Sequence, residues 1–245
     1  MAYLGFDRRV TLDWLDETAG LTLRNPDPAA VRAALHTRLA DPIAGQEARI
    51  KTITLLCRIW VNPPVAPHLR DEALRLLPTL LPANRIWLHW GLTLLAFPFF
   101  RDVAATVGRL LQIQGSCTLG QVTDRMISAW GERSTLIRAT QRALRSLVEW
   151  EALAERQPRG SFAAHPTRST EVAALHIWMI DAALRAHAND GIAVTELTHL
   201  PELYPFLVSV ARHHIVRLER FEILAQGSGV DLVYPTRTSE RGSFG

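Results

Sequence analysis

The amino-acid sequence predicts a mostly α-helical protein with short β-hairpins in its second half. Apolar residues recur at helical spacing along most of the 245 residues. Proline, glycine and capping residues separate these periodic stretches, as they do between helices. Two later stretches, 153–164 and 221–234, instead fit pairs of short strands joined by turns. With 48% hydrophobic residues the chain can bury a core, which excludes disorder throughout.

The first hundred residues are expected to form a helical bundle. Asn25-Pro26-Asp27-Pro28 interrupts the chain, and we expect Asp27 to cap a helix whose first position is Pro28. Pro98 is expected to start a new element, with three phenylalanines around it anchoring the bundle to the middle segment. The predicted helices cover 10–19, 28–39, 46–61, 67–77 and 84–96.

The composition argues against a secreted or membrane protein. The longest uncharged run, 86–100, has 15 residues, whereas a spanning helix needs about 20. Cys57 and Cys117 are too few for a disulfide scaffold or a four-cysteine zinc site. The amino terminus lacks a basic region followed by an apolar core. We therefore expect a soluble cytoplasmic protein that does not associate with membranes.

No catalytic or metal-binding pattern stands out. The nine histidines are scattered, and His89, between two tryptophans, is expected to be a satisfied core histidine. A glycine-rich phosphate loop followed by Lys-Ser or Lys-Thr does not occur. Residues 226–230 place glycines around a serine, but they are expected to form a hairpin turn. We predict that the protein is not an enzyme and has no cofactor and no metal.

Positive charge is concentrated in the middle of the sequence. The net charge is +2 over residues 1–100, +4 over 101–168 and −3 over 169–245. Arginine supplies 26 of the 27 basic residues, and Lys51 is the only lysine. Arginine suits phosphate and base-edge recognition, although a GC-rich genome also produces an arginine-rich composition. The middle segment is thus the expected place for a polyanion-binding face.

Residues 101–168 predict three helices and a hairpin after them. The first helix is expected over 101–114, and Thr118 can cap a second over 119–130. A short turn leads to Ser134, which can cap a third helix that runs to about residue 150. Strands at 153–156 and 161–164 then flank a turn.

This order resembles the winged helix-turn-helix fold of DNA-binding domains. The resemblance covers residues 101–168, with a weaker second copy over 169–235. One departure is Trp150-Glu151, where such domains often turn with a glycine. The residues that carry the resemblance are Thr118-Leu119-Gly120-Gln121-Val122, Gly131-Glu132-Arg133-Ser134, Leu144-Arg145-Ser146-Leu147-Val148-Glu149-Trp150 and Arg159-Gly160-Ser161-Phe162.

The resemblance implies that the third helix enters the major groove and that the hairpin, or wing, touches the DNA backbone. Helical geometry gives this helix a polar face about 120° wide. Glu149 at its far end argues mildly against tight phosphate wrapping. Contact with another protein, or a merely solvated face, would give the same pattern. The expected DNA-binding residues are Arg133, Thr135, Arg138, Gln141, Arg142, Arg145, Arg156 and Arg159.

The last third predicts the same order in a degenerate form. Helices are expected over 170–188, 195–200 and 205–220, with a hairpin over 221–234. His213, Arg217 and Arg220 would share one face of the long helix and offer a second DNA or protein contact. The acidic balance of this third favours a contact with a subunit or domain over DNA.

The predicted organisation is a helical bundle over 1–100, a winged helix over 101–168, a second winged-helix-like domain over 169–235 and a flexible tail over 236–245. The predicted function is non-enzymatic binding of double-stranded DNA. Such a protein would act as a regulator, or as an accessory subunit of a bacterial DNA-processing or phage-defence assembly. The alternative is a protein-interaction scaffold, in a homo-oligomer or a larger complex, whose winged units and tryptophans form interfaces.

Overall fold

A computed structural model describes residues 4–189, 191–216, 218–226 and 230–236. Within these ranges the protein has ten α-helices and two small three-stranded antiparallel sheets, so the mostly α-helical class is confirmed. The helices are α1 (Leu12–Arg24), α2 (Pro28–Arg38), α3 (Gln46–Trp60), α4 (Pro67–Leu76), α5 (Pro82–Ala96), α6 (Pro98–Gln114), α7 (Leu119–Trp130), α8 (Ser134–Glu149), α9 (Ala173–Ala186) and α10 (Arg212–Val216). The strands are β1 (Ser116–Thr118), β2 (Leu153–Arg156), β3 (Ser161–Ala164), β4 (Ile192–Ala193), β5 (Phe221–Gln226) and β6 (Val230–Pro235).

The five predicted amino-terminal helices are all present as α1 to α5. Asp27 caps α2 as expected, because its carboxylate accepts hydrogen bonds from the N–H groups of Ala29 and Ala30 at 3.2 and 3.0 Å. Proline starts α4, α5 and α6, where its missing N–H leaves no helical hydrogen bond unmade. Helix α1 ends five residues later than the sequence predicted, at Arg24.

Helix α5 is buried along residues 86–96, and His89 is satisfied inside the core as predicted. The Trp60 indole donates to Nδ1 of His89 at 3.1 Å, and Nε2 lies 3.2 Å from the Asp16 carboxylate. Burial lowers the pKa of His89, and its contact with Asp16 offsets this only in part. The ring is therefore neutral, with its proton on the nitrogen that faces Asp16.

The two cysteines are free thiols buried in the core. Burial raises the pKa of Cys57, and it raises the pKa of Cys117 to about 11. Both residues therefore pack as small apolar side chains rather than as nucleophiles.

The middle segment has the predicted helices and hairpin, together with a strand, β1, that the sequence did not predict. Strand β3 pairs with β1 on one side and with β2 on the other, giving the order β1-β3-β2. Thr118 caps α7 as predicted and forms a reciprocal capping box with Gln121. The prediction that Ser134 caps α8 is wrong. The Arg133 carbonyl already accepts a hydrogen bond from Leu136 N at 3.0 Å, so the helix begins one position earlier.

Helix α8 ends at Glu149 without a glycine. Trp150 is its carboxy-terminal cap, and Glu151 takes the left-handed conformation with φ of 52°. This non-glycine residue makes the turn that glycine makes more easily. Ala152 and Leu153 are then buried again at the start of β2.

The carboxy-terminal hairpin is confirmed, since β5 and β6 pair over six positions. Strand β4 adds to β6, so the order β4-β6-β5 repeats the order of the first sheet. The short helix predicted over 195–200 is wrong, because residues 194–198 form turns. Residues 237–245 of the predicted tail lie outside the described residues.

The long helix predicted over 205–220 is also wrong. Phe206 pairs with Arg168 as an isolated parallel bridge, and Leu207 N donates to the Arg168 carbonyl at 2.8 Å. Phe206 and Val208 are buried while Leu207 is 60% exposed, which is the two-residue period of extended chain. Residues 206–210, which are apolar except for Ser209, therefore take a strand-like path. Among the described residues of 205–220, only Arg212–Val216 is an α-helix.

An aromatic cluster joins the three parts of the chain. Phe6 packs on Phe100 with ring centroids 4.8 Å apart, and Phe100 packs on Trp150 at 5.5 Å. Trp90 lies 5.9 Å from Trp150 and 5.3 Å from Phe206. The amino-terminal helices, the middle segment and the carboxy-terminal third thus contribute to one continuous core.

Candidate nucleic-acid interface

Helix α8 buries one side and leaves the other open. Leu136, Ala143 and Leu147 are fully buried against the middle segment. Arg138 and Gln141 on the opposite side are exposed, and Arg145 is partly exposed. The division agrees with the amphipathic pattern of the sequence. Ile137 departs from it, because the sequence places it on the apolar side and it is 44% exposed.

Residues 4–11, the N-terminal arm, lie along one flank of α8. Val10 N donates to Ser146 Oγ at 2.9 Å, and the Trp150 indole donates to the Val10 carbonyl at 2.9 Å. Arg142 donates to the Asp7 carbonyl, and Arg9 forms an ion pair with Glu149 at 2.6 Å. The arm therefore engages both Arg142 and Glu149, and the predicted cationic face is narrower than the sequence suggested.

The remaining open strip of α8 is termed the outer face and consists of Ile137, Arg138, Gln141 and Arg145. Arg138 makes no hydrogen bond or ion pair with any described residue. Arg145 Nη1 lies 3.3 Å from Glu155 Oε2 of β2, a contact in which both side chains remain about one third exposed. The outer face is therefore continuous with the β2–β3 hairpin.

The hairpin adds two exposed cations to this surface. Arg156 is the last residue of β2, and Arg159 lies in the turn that leads to β3. Neither forms an ion pair within the described ranges. Guanidinium groups on a protruding hairpin beside a helix can reach the phosphates that flank a groove.

A second cationic surface, termed the basic cleft, lies between the N-terminal arm, α3 and the start of α8. Its volume is about 820 Å³. Asp7 is the one carboxylate among the described residues that line it, and its apolar lining residues include Leu4 and the buried Leu55 and Phe97. Its basic side chains are Arg8, Lys51, Arg58, Arg133, Arg138 and Arg142.

The structure divides the eight predicted DNA-binding residues into two groups. Arg133, Thr135 and Arg142 line the basic cleft. Arg138 belongs to both surfaces, because it lines the cleft and lies on the outer face. The outer face and the hairpin hold the other four, Gln141, Arg145, Arg156 and Arg159.

The cleft is the feature that sequence reasoning missed. Lys51, Leu55 and Arg58 lie three to four positions apart on α3, a spacing that places them on one side of the helix. That spacing was the available signal, but it does not reveal what the helix faces. The approach of the arm and α8 to α3 depends on contacts between residues far apart in sequence.

The predicted second contact surface does not form as a helical face. His213 is exposed on α10, and Arg217 lies outside the described residues. Arg220 precedes β5 and forms ion pairs with Glu72 at 3.2 Å and with buried Asp181 at 3.5 Å. Burial raises the pKa of Asp181, against the opposing effect of Arg185 and Arg220. Arg220 thus links the segment before β5 to α9 and to α4 of the amino-terminal helices.

The described parts of the chain contain no group of three or more side chains placed to hold a metal ion. None of the helices seen there is long and apolar enough to cross a membrane. Comparison with protein-family models, curated proteins and solved structures gives no match for this chain.

Proposed function

We propose that this protein binds double-stranded DNA without catalysing a reaction, through a winged helix-turn-helix unit formed by residues 98–164. The order of elements in that unit, α6-β1-α7-α8-β2-β3, and the sheet order β1-β3-β2 support this interpretation. In it, α8 is the helix that enters the major groove and the β2–β3 hairpin is the wing.

The observation that carries the proposal is the continuity of the outer face with the hairpin. Arg138 and Gln141 are exposed on α8, and the Arg145–Glu155 contact joins that strip to the strand that ends at Arg156. An exposed, amphipathic helix of 16 residues beside a cationic hairpin matches the shape and charge of a duplex.

Each side chain has a role that agrees with its position and chemistry. Arg138 and Gln141 lie near the middle of the outer face and can read base edges, arginine on guanine and glutamine on adenine. Arg145 and the hairpin cations Arg156 and Arg159 are placed for phosphate contacts. Arg142 instead holds the arm against α8, so it acts as a positioning residue.

Duplex binding across a salt series tests the proposal. Fluorescence anisotropy of a labelled duplex of about two helical turns is measured for the wild type and for an Arg138/Arg145/Arg159→Ala variant. Each phosphate contact contributes about −0.9 to the slope of log K against log salt, and the variant loses the phosphate contacts of Arg145 and Arg159. The magnitude of its slope is therefore expected to fall by about 2. Circular dichroism checks that the variant is folded.

An Arg24/Arg32/Arg75→Ala variant is the matched control, because it removes the same charge from α1, α2 and α4. It is expected to keep the wild-type slope. Equal effects of both triple variants would mean that binding reflects net charge rather than this surface. Absence of duplex binding by the wild type would overturn the proposal and favour a protein-interaction scaffold, for which the exposed Ile137 would be the first contact to test.

The proposal also implies a biological role. A chain that binds a duplex without catalysing a reaction would act as a regulator or as an accessory subunit of a DNA-processing assembly. The helices that precede α6 would then supply the contacts to other subunits.

A further inference from the structure

We propose that the outer face recognises a specific base sequence, and that Ile137 recognises a thymine within it through the 5-methyl group. This inference rests on the proposed duplex binding by α8 and adds a residue that determines its specificity. Ile137 lies in the first half of α8, one residue before Arg138 and one helical turn before Gln141.

Ile137 is open to solvent although its side chain is large and aliphatic. It is 44% exposed, whereas Leu136 and Thr140, its neighbours on α8, are fully buried. Val148, about three turns further along the same side of the helix, packs against the hydrophobic core. The fold therefore uses this side of α8 near its end and leaves Ile137 available to a partner molecule.

The N-terminal arm determines the side from which a duplex can approach α8. The arm bonds to Arg142, Ser146 and Glu149 of the helix. Ser146 lies nine positions after Ile137, which at about 100° per residue places the two on opposite sides of α8. The arm thus borders the outer face on one side and Ile137 forms its other edge, so a duplex on this face reaches Ile137 without displacing the arm.

The first half of α8 presents mixed chemistry rather than uniform positive charge. Residues 134–141 include no carboxylate. Their exposed side chains include those of Ile137, Arg138 and Gln141. Phosphates all carry the same charge and would be matched by cations alone. An aliphatic group, a guanidinium and an amide instead match three features of base edges in the major groove, namely the thymine methyl, guanine and adenine.

The hairpin places this first half of α8 over the bases. Arg145 in the second half contacts Glu155 of β2, so the hairpin and its cations flank that half of the helix. The phosphates that Arg156 and Arg159 reach therefore border the second half of α8. Its first half is left to enter the groove, as the amino-terminal part of a recognition helix does.

The chemistry of isoleucine selects thymine among the four bases. The 5-methyl group is the apolar feature that thymine presents in the major groove, and an aliphatic side chain packs on it. Because isoleucine is branched at Cβ, its χ1 is restricted in a helix and little side-chain freedom is lost on contact. Gln141 lies about 6 Å further along the helix axis, so the thymine and the adenine are expected one or two base-pair steps apart.

A substitution in the DNA isolates the methyl group. Sites that the wild-type protein prefers are first selected from a library of random duplexes. Each thymine of the preferred site is then replaced by deoxyuridine, which removes the methyl group and keeps the base pair. In fluorescence anisotropy, one such replacement is expected to weaken binding about fourfold, the effect of one methyl-sized apolar contact.

Two isoleucine variants assign that contact to a side chain. Ile137→Ala is expected to bind the thymine and deoxyuridine duplexes equally well. Ile113→Ala, at the end of α6, is the matched control, because Ile113 is 81% exposed and precedes β1 at the end of the sheet away from the hairpin turn. It is expected to keep the fourfold difference. Both variants shorten an exposed side chain and gain helix propensity, so both are expected to stay folded.

Three results would overturn the inference while duplex binding stands. The selection could yield no preferred sequence, which would mean that α8 contacts only the DNA backbone. Deoxyuridine could leave binding unchanged at every position, which would mean that no thymine methyl is contacted. Ile137→Ala could keep the fourfold difference, which would assign the methyl contact to another side chain. Failure of the wild type to bind any duplex would overturn the proposed function as well, so the two failures are distinguishable.

Discussion

At the scale of single residues, two helical glycines show how packing decides the effect of one methyl group. A Cβ added to Gly108 on α6 would lie 2.1 Å from the backbone carbonyl oxygen of Pro201. A Cβ on Gly20 of α1 would first meet the end of the long Arg24 side chain, at 3.3 Å. The first neighbour cannot move without shifting the chain, whereas the second can.

We therefore expect Gly108→Ala to destabilise the protein by about 1–3 kcal/mol, as overpacking of a core does. Gly20→Ala is the matched control and is expected to be neutral or to stabilise by up to about 1 kcal/mol, through helix propensity. Urea unfolding of both variants measures the difference. A neutral Gly108→Ala would contradict the close packing of α6 on residues 201–203.

Local residue chemistry was the part of the sequence easiest to interpret. Asp27 and Thr118 behave as predicted, because a cap depends on neighbours within one turn. His89 was predicted to be buried from its apolar neighbours in the sequence, although its partners Trp60 and Asp16 lie 29 and 73 positions away. Arg142 and Glu149 could not be predicted in the same way. Their partners, Asp7 and Arg9, lie 135 and 140 positions away, on an arm with no helical pattern of its own.

At the scale of elements, α7 and α8 begin in physically different ways. Thr118 and Gln121 satisfy two N–H groups at the start of α7 reciprocally. At α8 the cap is Arg133, which makes no such hydrogen bond, and Ser134 is already the first helical residue. The Thr118 hydroxyl thus contributes a capping hydrogen bond to its helix, whereas Ser134 is not at the cap position of α8.

Thr118→Ala is expected to lower the free energy of unfolding by about 0.5–2 kcal/mol, because an N-terminal cap is lost. Ser134→Ala is expected to change it by less than about 0.5 kcal/mol, as surface substitutions do. Thermal unfolding at one pH compares the two variants. Equal losses would mean that α8 also depends on a hydroxyl cap.

The wrong helix over 205–220 shows where element prediction reaches its limit. The run Phe206 to Val210 is apolar except for Ser209, and a short apolar run fits a helix or a strand equally well by periodicity alone. Phe206 pairs with Arg168 of the loop between β3 and α9, and this pairing favours an extended path. By contrast, α3, α5 and α8 were predicted nearly to their ends, since their patterns extend over about four turns.

At the scale of the whole molecule, the aromatic cluster joins parts that the sequence divides. The boundaries near residues 100 and 168 stay predictions, but Phe6, Trp90, Trp150 and Phe206 pack together across both. The basic cleft has the same origin, because its cations come from 8 to 142 in the sequence. No local pattern could have predicted either one.

We expect the chain to unfold in one cooperative transition rather than three. Tryptophan fluorescence and far-ultraviolet circular dichroism should give the same urea midpoint, since tryptophans occur in all three parts. Phe6→Ala is expected to lower the free energy of unfolding by about 3–5 kcal/mol, so both urea midpoints should fall together. Two separated transitions would support independent domains instead.

The attachment of the arm to α8 also sets an order of events during synthesis. Val10 bonds to Ser146 and Trp150, which lie 136 and 140 positions further along the chain. At roughly 5–20 residues per second a ribosome needs about 7 to 30 seconds to cover that distance. Throughout that interval the backbone groups of Val10 lack their α8 partners, although Phe6 can already pack on Phe97 and Phe100. Any product truncated before residue 150 would leave the Val10 carbonyl without the Trp150 indole.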